Sequence, residues 1–405
     1  MADHDLPLAG IRVLDVGSFI AAPAAGTILS DFGAEVIKVE VPGEGDPYRH
    51  VQRMSVMPQA ELNYAWLVDN RNKKGLCLDL KHPEGREILR EMVRTADVFI
   101  TNFPPAVRER LNLRWADLED LNPRLIYASM TGYGEVGDEC NKPGYDATAW
   151  WARSGMMDLV RGAGSPPALS AAGMGDHPTA TALYAGIMTA LYRREKTGRG
   201  GMVHTSLMAN GAWSNSCLLQ AALVGGTFAP PIDRRTCSSP LINTYGCRDG
   251  RWFFLAMVQE DKDWPRFVAA IERPDLGQDP RFATRADRAA NNVALIALLD
   301  AHFLTRDWAD WRAGLDANGV TFGAIANVQD VPDDPQMAAN GVSREMNDAR
   351  LGRLRVVDSP VHLDGVDKVT PRRAPDLGEH TEEVLLAAGF DAARIAVWKQ
   401  QGIVH

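Results

Sequence analysis

A strand–helix–strand unit near the amino end sets the strongest limit on how this chain folds. Ile11 to Val16 reads as a short strand, and Gly17 to Pro23 as a turn of small residues. Ala24 to Phe32 reads as a helix that Gly33 ends. Glu35 to Glu40 then alternates apolar and polar side chains, the pattern of a second strand. Two strands joined through a helix pair in parallel, so the unit predicts an α/β fold on an open parallel sheet. Glu40 sits where an acid would bind a ribose. The first turn nevertheless lacks G-x-G-x-x-G, and with it the glycines that let a backbone approach a pyrophosphate.

That motif occurs later, at Gly132-Tyr133-Gly134-Glu135-Val136-Gly137, after a strand over Leu125 to Met130. Acids and Pro143 follow where a phosphate-binding helix would have to begin, so the motif reads as a loop. Asn70 to Gly75 is a polar, basic turn, either solvated or, on a sharper reading, a phosphate cradle. Leu76 to Leu80 reads as a strand, Pro83 to Arg94 as an amphipathic helix, Asp97 to Asn102 as a strand and Met202 to Leu207 as another. Phe103, Arg108 and Arg110 follow the Asp97 to Asn102 strand, at the end where open parallel sheets bind ligands.

From about Gly225 the texture changes. Residues 225 to 245 are rich in Pro, Gly, Ser and Thr, as in a linker. Strand-like runs at Trp252 to Met257 and Gly323 to Val328 flank helix-like segments at Lys262 to Ile271, Asp287 to Phe303 and Trp308 to Asn318. This predicts a separate small domain. The tail from Pro332 has extended segments, then Leu377 to Leu386 and a closing helix.

Charge and composition exclude several function classes. The formal net charge of −9 argues against nucleic acid or an anionic membrane as the main partner. No stretch has the apolar length of a membrane span, and the acidic Met1-Ala2-Asp3-His4-Asp5 start lacks the apolar core of a signal peptide. Five cysteines, Cys77, Cys140, Cys217, Cys237 and Cys247, show no C-x-x-C spacing and predict a reduced, cytoplasmic setting. The histidines lack metal-ligand spacing, so no metal site is expected. There is no G-x-S-x-G, no P-loop and no H-E-x-x-H.

What remains is Gly173-Met174-Gly175-Asp176-His177-Pro178-Thr179. Leu183, Ile187, Ala190 and Leu191 follow on one helical face, with Pro178 suited to the helix's first turn. Asp176 reads either as an N-cap or as a carboxylate nucleophile that the positive end of the helix keeps ionised. A carboxylate can attack an activated acyl group to give a mixed anhydride, with glycine N–H groups near the oxyanion. His177 beside it reads as a surface or capping residue, or as an assistant on geometry alone.

The chain resembles the family III CoA-transferases, a group that includes the 2-methylacyl-CoA racemases. The resemblance is carried by Pro7-Leu8-Ala9-Gly10-Ile11-Arg12-Val13-Leu14-Asp15, Asp31-Phe32-Gly33-Ala34-Glu35-Val36-Ile37-Lys38-Val39-Glu40, Leu78-Asp79-Leu80-Lys81, Asn102-Phe103, Thr131-Gly132-Tyr133-Gly134, Lys196-Thr197-Gly198-Arg199-Gly200, Asp279-Pro280-Arg281-Phe282 and Leu377-Gly378-Glu379-His380-Thr381. It implies a Rossmann-like large domain from residues 1–224 and 331–405, a smaller α+β domain over 225–330, and an interlocked homodimer. It makes Asp176 the catalytic residue and places Phe19, Ile20, Ala21, Leu78, Lys81, Asn102, Phe103, Arg110 and Tyr145 against CoA, Arg110 on phosphate. Acyl-CoA and a small carboxylic acid are the implied substrates, with no tightly bound cofactor. The racemases use a histidine where this chain reads Gly144-Tyr145-Asp146, and a tyrosine of reference pKa about 10 shuttles protons poorly at neutral pH. A run of glycines typical of formyl-CoA transferases is replaced by Ser238-Ser239-Pro240-Leu241-Ile242-Asn243. The segment around Trp150 and Trp151 is closer to transferases of 2-hydroxy or aryl acids. A racemase, a non-catalytic CoA-binding protein and a nicotinamide-dependent oxidoreductase are the alternatives.

Overall fold

The computed structural model describes residues 6–405; the acidic Met1–Asp5 start lies outside them. The chain forms two compact units. One comprises the residues up to Asp158, Leu169–Gly225 and Gly341–His405; the other comprises Leu159–Ala168 and Gly226–Asn340.

In the first unit, β1 (Arg12–Asp15), β2 (Glu35–Glu40), β3 (Lys74–Cys77), β4 (Val98–Thr101), β5 (Ile126–Thr131) and β6 (Gly201–Ser206) form one sheet. Its order is β3-β2-β1-β4-β5-β6 and every pairing is parallel. This is the open parallel, Rossmann-like sheet expected of the large domain, with the order reversing between β1 and β4. Side chains alternate across it. Val13, Val36, Val98 and Ile126 pack under helices Ala21–Asp31 and Asp176–Thr197. Leu14, Ile37, Phe99 and Tyr127 pack on the other face with helix Pro83–Val93 and Trp398 of the tail. Both faces are covered, which is why β4 and β5 are buried at every residue.

The tail closes the β3 edge. Cys77 N–H donates to Thr381 Oγ1 (3.1 Å), Trp66 Nε1–H to the Pro375 carbonyl (3.1 Å), and Leu78 bridges to Val404.

The second unit has three antiparallel strands, Ile242–Gly246, Trp252–Ala256 and Phe322–Ile325, over a core that includes Tyr245, Phe253, Phe267, Phe303 and Trp311. The helix expected over Asp287 to Phe303 is two helices, Arg285–Ala290 and Asn292–Phe303. They divide at Asn291, whose side-chain amide donates to the carbonyls of Asp287 and Arg281. No helix among the described residues is long and apolar enough to cross a membrane.

Candidate active site

The turn after β1 lies at the strand-order reversal, where such sheets bind ligands. Its first three backbone donors are already taken. Gly17 N–H donates to Asp15 Oδ1 (3.2 Å), Ser18 N–H to Asn102 Oδ1 (2.9 Å) and Phe19 N–H to Asp46 Oδ1 (3.1 Å). Asn102 returns a bond from Nδ2 to the Ser18 carbonyl (2.7 Å), tying the β1 and β4 ends together. Glu40, the candidate ribose acid, is paired with Arg49 at 2.7 Å. A ribose would find no free acid here, and the amides of Gly17, Ser18 and Phe19 are closed to a pyrophosphate. Phe19 takes a left-handed φ of 60°, which costs a non-glycine residue about 1–2 kcal/mol. The Asp46 bond and an edge-on contact with the Tyr145 ring (5.7 Å) hold it there.

Asn70 to Lys73 is neither a solvated turn nor a phosphate cradle. All four residues are buried. Lys73 Nζ reaches Asp15 Oδ2 (2.8 Å), the carbonyls of Pro23 (2.7 Å) and Asp69 (2.8 Å), and Asn70 Oδ1 (3.0 Å). Arg71 forks onto Asp31 (2.6 and 3.2 Å). A buried ammonium or guanidinium needs every donor matched, and acceptors from distant segments match them. The cationic donors of Arg71 and Lys73 are thus committed inside the chain, away from any phosphate. Lys38 is likewise buried, on Asp46 (2.8 Å) and the Gly17 carbonyl. This layer of ion pairs is the floor of the β1 turn.

Asp176 begins the 22-residue helix Asp176–Thr197, whose buried face is Leu183, Ile187, Ala190 and Leu191, as their spacing predicts. The N-cap is Gly175, so Asp176 is not the cap; it occupies the first helical position. Gly175 packs flat on Trp150: a Cβ there would lie 2.5 Å from the indole. Trp150 comes from a π-helix, Asp146–Ala152, and stacks on Trp151 at 5.8 Å and 11°. Such π turns are rare and often mark functional sites.

Electrostatics around Asp176 differ from the expectation drawn from the helix end. Burial, then the nearby Asp146, push the Asp176 carboxyl up to about 7, while His177 opposes the shift and Asp69 adds to it. A helix end is worth about 0.3–1 kcal/mol, less than one pKa unit, and burial exceeds it. The Asp176 carboxylate accepts no hydrogen bond from the described residues. Asp146 Oδ2 and Trp150 Nε1 are also buried without partners. His177 is pinned from both sides, with Nδ1 3.1 Å from the Gly173 carbonyl and Nε2 3.0 Å from Asp69 Oδ1. Asp69 itself is buried and accepts the Tyr48 hydroxyl at 2.7 Å. This site therefore holds a poorly satisfied carboxylate beside a firmly held imidazole.

The remaining candidate residues fall into two groups. Phe19, Ile20, Asn102 and Tyr145 gather with the Asp176 loop: Phe19 touches Tyr145, Asn102 bonds Ser18, and Gly173 lies against Ile20. Phe103 follows Asn102 and is partly buried. Ala21 is buried, as the first residue of the helix after the turn. Leu78 and Lys81 follow β3, two strand spacings or roughly 10 Å from β1. Leu78 is 1% exposed and its N–H donates to the Glu40 carbonyl (2.8 Å), whereas Lys81 is exposed. Arg110 is exposed on helix Pro105–Leu111, while Arg108 is buried on Glu135 at 2.6 Å. A cavity of about 1070 Å³ opens elsewhere, at the amino ends of β2 and β3, lined by Glu35, Lys74 and Arg372 among others. No group of three His, Cys, Asp or Glu among the described residues is arranged to hold a metal ion.

Asp69, Tyr48 and Asp46 escape sequence reasoning. The one signal for Asp69 is its position, an acid ending the apolar run Tyr64 to Val68 and continuing it into helix Tyr64–Asn70.

The same chain compares closely with known proteins. It is 35% identical over 404 residues to the (R)-2-hydroxy-4-methylpentanoate CoA-transferase of Clostridioides difficile, covering 98% of this chain and 99% of that one. It is 31% identical over 400 residues to the cinnamoyl-CoA:phenyllactate CoA-transferase of Clostridium sporogenes, covering 98% and 96%. Among solved structures, a CAIB/BAIF family protein from Brucella suis superimposes with a TM-score of 0.83 at 30% identity, over 95% of this chain and 99% of that one. The pattern of CoA-transferase family III matches residues 8–381, and with relatives of this identity along the whole length the chain belongs to that family and is a CoA-transferase.

Proposed function

We propose that this enzyme moves CoA from an acyl-CoA to a free 2-hydroxy or aryl acid of medium size, with Asp176 as nucleophile. An Asp176 oxygen attacks the thioester carbonyl; the C–S bond breaks and CoA thiolate leaves, giving a mixed anhydride. The thiolate attacks the aspartyl carbonyl, expelling the donor acid and leaving an aspartyl-CoA thioester. The acceptor carboxylate attacks that thioester, forming a second anhydride and freeing the thiolate. The thiolate takes the acceptor's acyl group and Asp176 is restored. No proton is gained or lost overall, and no ATP is needed.

The observation that carries this is the Asp176 carboxylate itself, at the head of a helix by the ligand-binding end of the sheet and without a hydrogen bond from the described residues. A carboxylate raised to about 7 is a stronger nucleophile than an ordinary one when ionised, and at neutral pH about half is ionised. Phe19, Ile20, Asn102 and Tyr145 form the CoA-facing wall. Lys81 lies on the adenine side and Arg110 meets a phosphate; both are exposed. Tyr145 stands where a racemase would need a histidine, which disfavours that alternative. The acid class is supported by two relatives whose names carry 2-hydroxy acids, one branched aliphatic and one aryl.

The enzyme acts in the cytoplasm as an interlocked homodimer. In support, all five cysteines are free, and helix Ser216–Leu223 buries none of its side chains in this chain, with Trp213, Leu223 and Val224 more than two-thirds exposed. A second copy would cover them.

The test is mass spectrometry of enzyme incubated with acyl-CoA donors and acid acceptors. CoA should be trapped as a thioester on the peptide bearing Asp176, and Asp176→Ala should show neither adduct nor transfer. Transfer by Asp176→Ala at the wild-type rate would overturn the mechanism, and unchanged substrates with the intact enzyme would indicate a CoA-binding protein.

A further inference from the structure

His177 is held at both ring nitrogens by oxygens that serve as acceptors. Nδ1 faces the Gly173 carbonyl at 3.1 Å and Nε2 faces Asp69 Oδ1 at 3.0 Å. A neutral imidazole carries one N–H, so it could satisfy one of the two and would set a lone pair against the other. The protonated ring satisfies both. Asp69 is fixed in the acceptor role. It is 1% exposed, its Oδ2 takes the Tyr48 hydroxyl at 2.7 Å, and its backbone carbonyl takes the Lys73 ammonium at 2.8 Å. Gly173 completes the clamp. Its φ is 76°, a left-handed angle that suits glycine, and a Cβ there would meet the ring at 3.0 Å.

We propose that Asp69 and Tyr48 hold His177 as a standing imidazolium, and that this fixed positive charge favours the ionised form of Asp176 against its buried, acidic surroundings. The inference rests on Asp176 being the nucleophile. It makes His177 a positioning residue that acts through Asp176 and touches no reacting atom. The titratable groups facing the pair are Asp146 from the π-helix, Asp69 from helix Tyr64–Asn70 and Tyr48 from the 3-10 turn Pro47–Arg53, with Lys73 behind Asp69. Burial works against the His177 charge, but the hydrogen bond and charge of Asp69 outweigh it and raise the ring to about 9. At Asp176, burial and Asp146 raise the carboxyl and His177 is the opposing influence. Half the His177 side chain is exposed (48%), so the ring can be replaced without opening a core cavity.

Two measurements test this on the full-length enzyme. In histidine-selective ¹⁵N spectra at about pH 7.5, well above the ordinary histidine pKa, the His177 ring should be doubly protonated, and Asp69→Asn should return it to the neutral form. The signal is assigned by its loss in His177→Asn. A neutral ring in the unaltered enzyme at that pH overturns the proposal. In pH profiles of kcat/KM, His177→Asn should move the acid limb upward by about one unit, a deficit of about 10-fold near pH 6 that narrows toward pH 9. The KM for acyl-CoA at the alkaline end should stay within about 2-fold of the unaltered enzyme. An equal loss at every pH marks a merely structural role and overturns the proposal, as does an unshifted profile. With Asp176→Ala inactive, either result leaves the nucleophile standing; with Asp176→Ala fully active, the nucleophile falls and this inference with it.

Discussion

Two polar regions that meet at Asp69 follow opposite rules. Beneath the β1 turn, Asp15, Asp31, Lys38, Asp46, Arg71 and Lys73 are all buried and form three ion pairs, each backed by further hydrogen bonds. Around Asp176, the acid has no hydrogen bond from the described residues, Asp146 Oδ2 and Trp150 Nε1 are unpartnered, and a like charge lies nearby. Satisfied charges make a rigid floor with nothing left over for a ligand. Unsatisfied ones keep a carboxylate basic and ready to form a bond. The proposed nucleophile thus has fewer partners than the buried charges beneath the turn.

The comparison breaks most visibly at Asp176. Asp176→Asn should lower CoA transfer by about a thousand-fold or more, read from kcat in a donor–acceptor assay. Its stability effect should be the reverse of a scaffold mutation. The folded state raises the Asp176 pKa above its ordinary value, so it holds the proton more tightly than the unfolded chain between about pH 4 and 7, and the intact enzyme loses that stability as pH rises through the window. Asp176→Asn should therefore be more stable than the parent at about pH 8, with the gain vanishing near pH 4, by urea denaturation. Equal stability at both pH values would mean that the acid is not strained by burial.

Lys73→Met should do the opposite. It leaves Asp15 buried without its cation and should cost about 3–5 kcal/mol in urea midpoints, with activity lost only as the fold is lost. A smaller effect belongs to Gly175. Its φ of −97° suits alanine, so Gly175→Ala isolates the collision with Trp150, for about 1–3 kcal/mol. In a Trp150→Ala background the same change should be nearly neutral, a coupling that a double-mutant cycle measures. The smallest concerns Phe19. Both Phe19→Gly and Phe19→Ala lose the ring contact with Tyr145, but glycine accepts the left-handed angle, so the glycine variant should be more stable by about 1 kcal/mol.

What can be read from the sequence follows the range of the forces involved. The alternation of Glu35 to Glu40 and the helical face from Leu183 to Leu191 are local periodicities, and the structure has both. The β1–helix–β2 unit names a parallel sheet because its connection leaves little choice. Lys73 is illegible by the same measure. A lysine in a basic run looks solvated, and its burial depends on Asp15, 58 residues away. Asp69 has no motif because the ring it holds is 108 residues distant. The raised pKa of Asp176, against the ionised acid expected from its helix end, is illegible for the same reason. The helix is local and visible, whereas Asp146 and the burial that outweigh it come from tertiary packing.

The closure of β3 by the tail has a consequence during synthesis. Strand β3 is complete once Cys77 leaves the ribosome, but the groups that cover its edge, Pro375, Thr381 and Val404, are made about 300 residues later. Until then a nascent sheet carries an open edge next to apolar Trp66 and Leu76, the condition under which chains pair with one another. Folding of this unit is therefore obliged to be late and non-local, and slow for its size. A chain ending before Pro375 should be recovered as aggregate while the complete chain is recovered in solution, a difference that sedimentation of freshly translated protein would register.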